Sequence, residues 1–598
     1  MKLKHFFADD QVYLGGQVEY RLKRAIGRFL KDDVWTPEFV SQDSRAQTIG
    51  YRKFSEWHGD ISGRHIGLMS SAKHAGEAFD PALDEIVERV LSEQLSDGTY
   101  GYLLGAEDDG SGLDNVAHKK IYGHGRLLLG LAEYYGATKR PEVLEAALAI
   151  ARFYEANIDA VMAHGTMQQQ NFFLQALDGV VQLIHHRPND EWLRSYAKKA
   201  IALVWRLPDN SAELPGVHAH AYASTLRGIL DYVIETGDDS VMSVFWERYQ
   251  RAWPGVTLDG NYTEVFNYQG TPFKPRNEAC GIADWIMIHL RLAAIEGDDR
   301  YFAIAENSLY NALFATQFPN YGFGHRWYLG GTRALGYVTE GEEAWWCCSY
   351  HGPRSLVDLK RFVYAQDGDA VDVNFLFSSE IKTRDFSLCV DSGYPQRGDV
   401  SITVGCIAPV RRTLRIRIPP FVDPSRIDVS VNGKAAKAEV VQGRLTLDRE
   451  WNDRDRVLFT VPLELRLVNG RSGDVLAEAE EGRMYEECSI AYGPLYLGFT
   501  PPTELALDDQ LVVLPSAAYG KDGALDLPAF SWKDDGLDTG AALSPGANIY
   551  GLVNEGLHRL VGVESRDGSI TRGRDLYPEN EATRRYSNFR VVFPVVIR

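Results

Sequence analysis

The stretch RLLLGLAEYYGATKRPEVLEAALAIARFYE, residues 126–155, reads as two amphipathic helices joined by a short turn. Apolar residues run from Leu127 to Tyr135, a stop is expected at Gly136, and a second helix restarts after Pro141. Leu226 to Glu235 repeats the plan, with Gly237 as the stop and VMSVFWERY as the return. Ile288 to Glu296 stops at Gly297 and returns as YFAIAENSLYNAL. A copy without the glycine runs from Phe172 to Ile184 and back from Glu191 to Trp205. Hairpins of this kind cannot bury their apolar faces alone, so they must stack on one another. The loops between them are long and rich in Trp, Tyr, His and Gly, as around Trp57-His58 and Gly324-His325-Arg326-Trp327. That favours a closed toroid of paired helices, with its loops around a central cleft, over an open solenoid.

The period changes after about residue 365. Val371–Phe375, Ser401–Val404 and Leu414–Ile418 alternate as strands do, and Asn432-Gly433 is a strong hairpin turn. Residues 1–365 are therefore expected to form the helical domain and 366–475 an antiparallel β-sandwich. Residues 476–598 are expected to form a second sandwich or to complete the first. A chain of 598 residues is too long for one core, which agrees with several domains. The formal net charge of −19 disfavours nucleic acid and anionic membranes as partners. Neither a secretory signal nor a membrane-spanning run is visible, so a cytoplasmic location is expected.

Six cysteines over this length do not make a disulfide scaffold. Cys389, Cys406 and Cys488 fall in or beside strand-like runs and read as small buried residues. Glu278, Cys280, Cys347 and Cys348 differ, because thiolates and a carboxylate are natural ligands of Zn²⁺. The spacing is unlike a zinc finger or ribbon. From these residues alone, core packing and a metal or catalytic site stand as equal alternatives, and a strained vicinal disulfide between Cys347 and Cys348 is disfavoured.

The order Glu-x-Cys followed about seventy residues later by Cys-Cys resembles glycoside hydrolase family 127, the β-L-arabinofuranosidases and their relatives. Glu264-Val265-Phe266, Tyr310–Leu313, Cys347–Arg354, Arg417-Ile418-Pro419 and Val431-Asn432-Gly433 resemble further landmarks of that family. The resemblance implies an (α/α)6 toroid followed by β-sandwiches, and zinc held by Glu278, Cys280, Cys347 and Cys348. It further implies Cys347 as nucleophile and Glu264 as general acid/base of a retaining, exo-acting hydrolase. Tyr262, Phe266 and Tyr268 are expected to give Glu264 an apolar setting that raises its pKa.

His124, His218 and His220 lie near helix starts, where they are expected to meet sugar hydroxyls, although capping or core roles suit each one equally. Trp57, Trp345 and Trp346 are expected either to stack on a sugar face or to pack. The expected partner is an oligosaccharide or glycoside, with homodimerisation left open. Two other readings stand beside hydrolysis: a sugar-binding scaffold with structural zinc, and a toroid-type lyase or isomerase.

Overall fold

The structure, a computed structural model, describes residues 5–31, 35–45, 57–101, 116–204, 216–268, 271–273, 276–317, 321–329, 334–335, 346–470, 472–477 and 480–499, together with strands at 510–514, 562–565, 570–572, 576–578, 589–590 and 593–597. Six helices form a closed inner ring: α1 (Asp60–His74), α2 (Val116–Thr138), α3 (Leu177–His186), α4 (Ala219–Thr236), α5 (Ala279–Glu296) and α6 (Trp346–Val363). Each packs against the next, and α6 returns to α1. Most have an outer partner that follows in sequence, such as Pro141–His164 outside α2 and Glu191–Ala202 outside α3. The sixth outer helix, Gly16–Lys31, comes first in the chain and packs on α6, the last. This is the α/α toroid.

The glycine stops after α4 and α5 are as expected. Gly237 and Gly297 both have φ of 70° and cap their helices in the left-handed conformation that a side chain disfavours. Gly136 acts otherwise. α2 runs on to Thr138, and a Cβ at Gly136 would lie 3.1 Å from the His186 ring, so this glycine admits a neighbour and ends nothing. Where α1 crosses α2, Gly63 and Gly130 let the two backbones touch: a Cβ on Gly63 would come within 2.4 Å of Leu127 N.

The inner helices run parallel. Their N-terminal ends surround one mouth of the ring, and their C-terminal halves supply His74, Gly136, His186, Ile234, Arg291 and Arg361 to a vestibule of about 530 Å³ at the other, where Phe6 and Asp9 also line the wall. No helix among the described residues is long and apolar enough to cross a membrane.

Two sheets follow the ring. One has the order His5–Phe6, Tyr364–Asp367, Ala370–Val373, Val410–Arg417, Arg444–Trp451, Glu439–Val441. The other has the order Lys434–Ala435, Val429–Val431, Arg456–Thr460, Asp399–Cys406, Phe386–Ser392, Ser379–Lys382, Val12–Leu14. All pairs are antiparallel except Ala370–Val373 with Val410–Arg417. Asn432 and Gly433 take positive φ between paired strands, the geometry their hairpin requires.

Both sheets end on strands from the start of the chain, so residues 5–14 belong with the sandwich and a single cut at 365 does not describe the helical domain. Leu465–Asn469 pairs with Met484–Tyr492, which puts the start of the third sheet ahead of residue 475. That sheet neither completes the first two nor stays apart from the ring. Through Phe589–Arg590 and Ala334–Leu335 it continues into His325–Leu329 and Arg276–Glu278, at the mouth of the toroid.

Candidate active site

Glu278 ends the strand Arg276–Glu278, paired with His325, in extended conformation (φ −140°, ψ 128°); α5 begins at the next residue. The change from strand to helix between Glu278 and Cys280 turns both side chains to one point, which neither a regular strand nor a regular helix would do at this spacing. Cys347 and Cys348 occupy the first turn of α6. The thiols therefore gather at the N-terminal ends of α5 and α6, where the helix dipoles favour negative charge.

The four ligand atoms all lie within 4.8 Å of one another. Sγ of Cys280 is 3.6 Å from Sγ of Cys348, which is 3.9 Å from Sγ of Cys347. Oε1 of Glu278 is 3.7 Å from Cys347 Sγ and 3.9 Å from Cys348 Sγ. A tetrahedral metal with bonds of about 2.3 Å to sulfur spaces its sulfurs by about 3.8 Å. The group is thus able to hold a metal ion. Glu278 is 2% exposed, Cys280 and Cys348 0%, and Cys347 7%, so the nucleophile candidate is the thiol open to the mouth.

Hydrogen bonds from the Cys280 and Cys348 thiols hold the Cys347 thiol well below its ordinary pKa, and burial drives the other two well above theirs. Burial would raise Glu278, but the charge and hydrogen bond of His218 outweigh it and keep the carboxyl well below its usual range. His218 Nε2 donates to Glu278 Oε2 at 3.0 Å, and its backbone is fixed by Gln168 and Asn171.

Glu264 is anchored through its backbone, with Ala219 N donating to its carbonyl and its own N–H bonded to Arg276 O. Its carboxylate accepts two short hydrogen bonds from Arg276. Burial pushes its pKa up, as expected from the aromatic neighbours, but Arg276 and the His325 charge reverse the sign, and the net shift is downward. His325 lies 3.9 Å from Glu278 Oε1 and, like His218, feels the charges of Glu264 and Cys347.

Of the predicted sugar contacts, His218 and Trp57 lie at the site. Trp57 packs edge-on against Tyr122 and Phe172, and Phe172 against His218, forming one aromatic wall. His124 does not reach it. It is fully buried, its Nδ1 donating to Lys120 O at 2.8 Å and its Nε2 accepting from Tyr100 N at 2.9 Å, so it ties a loop to α2. His220 lies beneath the cluster, also fully buried, with Nδ1 donating to Asp284 Oδ2 at 2.5 Å and Nε2 accepting from Arg64 at 3.1 Å. Neither ring has a nitrogen left for a sugar. Trp345 and the Trp346 side chain lie outside the described residues.

His220, Asp284 and His351 form a second close group. Their separations of 2.5 and 3.0 Å are hydrogen-bond lengths, and Arg64 and Arg227 flank them, so they make a charge-balanced network and not a cation site. Arg64, Tyr122, Arg276, His325 and Asp284 had no assigned role in the sequence reading. Only Arg276 and His325 carried a signal, the first through its place beside Glu278 and the second in a loop expected at the rim.

The model of the β-L-arabinofuranosidase GH127 catalytic domain matches residues 19–361, and that of the GH127 middle domain residues 370–463. The chain belongs to glycoside hydrolase family 127. Among solved structures, a GH127 β-arabinofuranosidase superposes with a TM-score of 0.68 at 17% identity, covering 99% of this chain and 98% of that one. A GH127 β-L-arabinofuranosidase from Geobacillus stearothermophilus T6 gives 0.64 at 15% identity, over 98% and 100% of the two chains. These likenesses show a common fold along the whole chain. A search of curated proteins finds no match. As a GH127 member the protein is a glycoside hydrolase, which sets aside the binding-only and lyase readings.

Proposed function

We propose that this GH127 protein is a retaining, exo-acting β-L-arabinofuranosidase with Cys347 as nucleophile, Glu264 as acid/base and zinc on Glu278, Cys280, Cys347 and Cys348. The observation that carries the reading is the asymmetry of the cluster: three of its members are sealed and Cys347 alone is partly open, while the charges of Cys347 and Glu264 both reach His218 and His325. Zinc, when bound, supplies the positive charge that keeps the thiols ionised at neutral pH.

Cys347 Sγ attacks the anomeric carbon as the glycosidic C–O bond breaks, and Glu264 gives its proton to the leaving oxygen. Glu264 then takes a proton from the incoming water, the new C–O bond forms and the C–S bond breaks. Arg276 holds Glu264 in the ionised form that the second step needs. The first step needs the protonated form, so the Arg276 pair must loosen when a glycoside fills the site. His218 and the Trp57–Tyr122–Phe172 wall supply a polar contact and an apolar face for the terminal sugar.

The test is a panel of aryl L- and D-pentosides with the first-formed anomer followed by NMR. β-L-Arabinofuranoside cleavage with retention is expected; an inverted first product would sink the cysteine double displacement. In parallel, the purified protein should hold about one zinc per chain. Cys280→Ser should lose it, and Cys347→Ser should lose turnover.

A further inference from the structure

Arg64 projects from α1 to the underside of the thiol cluster and is 6% exposed. Its guanidinium is fixed on two edges. Nε donates to Asp60 Oδ1 at 2.7 Å, and Nη2 donates to Tyr122 Oη at 2.7 Å and to His220 Nε2 at 3.1 Å. The remaining nitrogen, Nη1, faces Cys280 Sγ at 4.0 Å.

The frame behind Arg64 is rigid. Asp43 Oδ2 accepts from Ile61 N and Ser62 N at the start of α1, and Gly63 sits in backbone contact with α2. His220 is held by Asp284, so its Nε2 can only accept. The residues placed in the reaction above do not account for this arrangement.

Three thiolates and a carboxylate carry −4, and a divalent ion leaves −2 among side chains that are all at most 7% exposed. Buried charge of that size is costly unless donors face it. Asp60 shares the charge of Arg64 but lies on the Nε edge, so what the sulfur meets is the N–H edge. We propose that Arg64 is a positioning residue for the metal centre: clamped by Asp60, Tyr122 and His220, it presents an N–H to Cys280 Sγ, stabilising the ionised cluster and setting how strongly that sulfur donates to the metal. The inference rests on the metal reading given above.

Three variants of the full-length protein test it: Arg64→Met, Arg64→Lys and Tyr122→Phe. Zinc affinity is read by competition with a chelating dye, and the sulfur-to-metal charge-transfer band is read after cobalt substitution. Unfolding midpoints establish that each variant is folded. Loss of a partner behind the ligands is expected to weaken zinc binding by about 10- to 100-fold in Arg64→Met. Its cobalt band should move to lower energy, because a sulfur without its N–H donor releases charge more easily. Arg64→Lys should fall between, keeping the charge and losing the clamp. Tyr122→Phe should move the band least.

A folded Arg64→Met with wild-type zinc affinity and an unmoved band overturns the inference. If Arg64→Met does not fold, unmoved bands in both Arg64→Lys and Tyr122→Phe overturn it equally. A wild-type protein that binds neither zinc nor cobalt removes the metal reading and this inference with it. That outcome is distinct from variants that match a metal-binding wild type.

Discussion

Glu264 and Glu278 are both buried carboxylates, and each is kept ionised by a different neighbour, Arg276 for the first and His218 for the second. If Glu264 is the acid/base, Glu264→Gln should lower kcat/KM on unactivated glycosides by about 10²- to 10⁴-fold. Aryl glycosides with good leaving groups should lose much less in the first step, and azide should restore part of the second; equal losses on both substrates would count against the role. Glu278, Cys280, Cys347 and Cys348 could be singled out in the sequence, where core packing and a metal or catalytic site were equal alternatives until the family resemblance was added, and the structure gathers their ligand atoms within 4.8 Å of one another. The histidines were not. A place near a helix start says that a side chain is close to the mouth of the ring, but not how deep it points. His218 is on the short strand before α4, and His220, two residues on, is inside the helix and under the cluster. Arg64 was invisible, since its partners Tyr122, His220 and Cys280 come from three other helices.

At the scale of the element, α5 carries both Cys280 of the thiol cluster and a dense aromatic packing. His289 Nδ1 donates to Trp285 O at 2.7 Å and Nε2 accepts from the Tyr249 hydroxyl at 2.9 Å, so the ring is neutral and burial depresses its pKa to about 4. In the unfolded chain the same group takes a proton below about pH 6.5. Stability from this residue is therefore complete above that pH and drains away as pH falls toward 4, by at most about 3 kcal/mol. Thermal unfolding of His289→Gln should show a shallower pH dependence between those limits; an unchanged slope would contradict the assignment. The α1–α2 crossing is a second weak point. Gly63→Ala would drive a methyl into the Leu127 backbone and should cost about 1–3 kcal/mol, read from the denaturation midpoint. Helix pairing itself was plain in the sequence. Gly136 misled because a glycine that admits a side chain and one that ends a helix look alike without the neighbour.

On the scale of the whole molecule, the ring and the sandwich are locked by buried charge. Arg417 on the sandwich donates to Glu306 at 2.9 Å, both nearly inaccessible, and Tyr394 reaches the same carboxylate at 3.4 Å. Removing one partner leaves the other charged and buried, so Glu306→Ala should cost about 3–5 kcal/mol. Calorimetry should show the two regions beginning to melt apart, where the parent melts them together. The sandwich was readable from alternation and from Asn432-Gly433. The strands His5–Phe6 and Val12–Leu14 were not, because they are two and three residues long and their partners lie more than 350 residues away.

The placing of Gly16–Lys31 against α6 has a consequence in time. At about 5–20 residues per second, a ribosome needs tens of seconds to pass from the first helix to the last. Throughout that interval the opening helix has an apolar stripe and no ring to close. The nascent chain must carry this surface, shielded by a chaperone or by temporary contacts, until α6 emerges. A rearranged gene that transposes residues 5–31 to follow α6 would shorten the wait, and its yield on synthesis without chaperones would measure how much the wait matters.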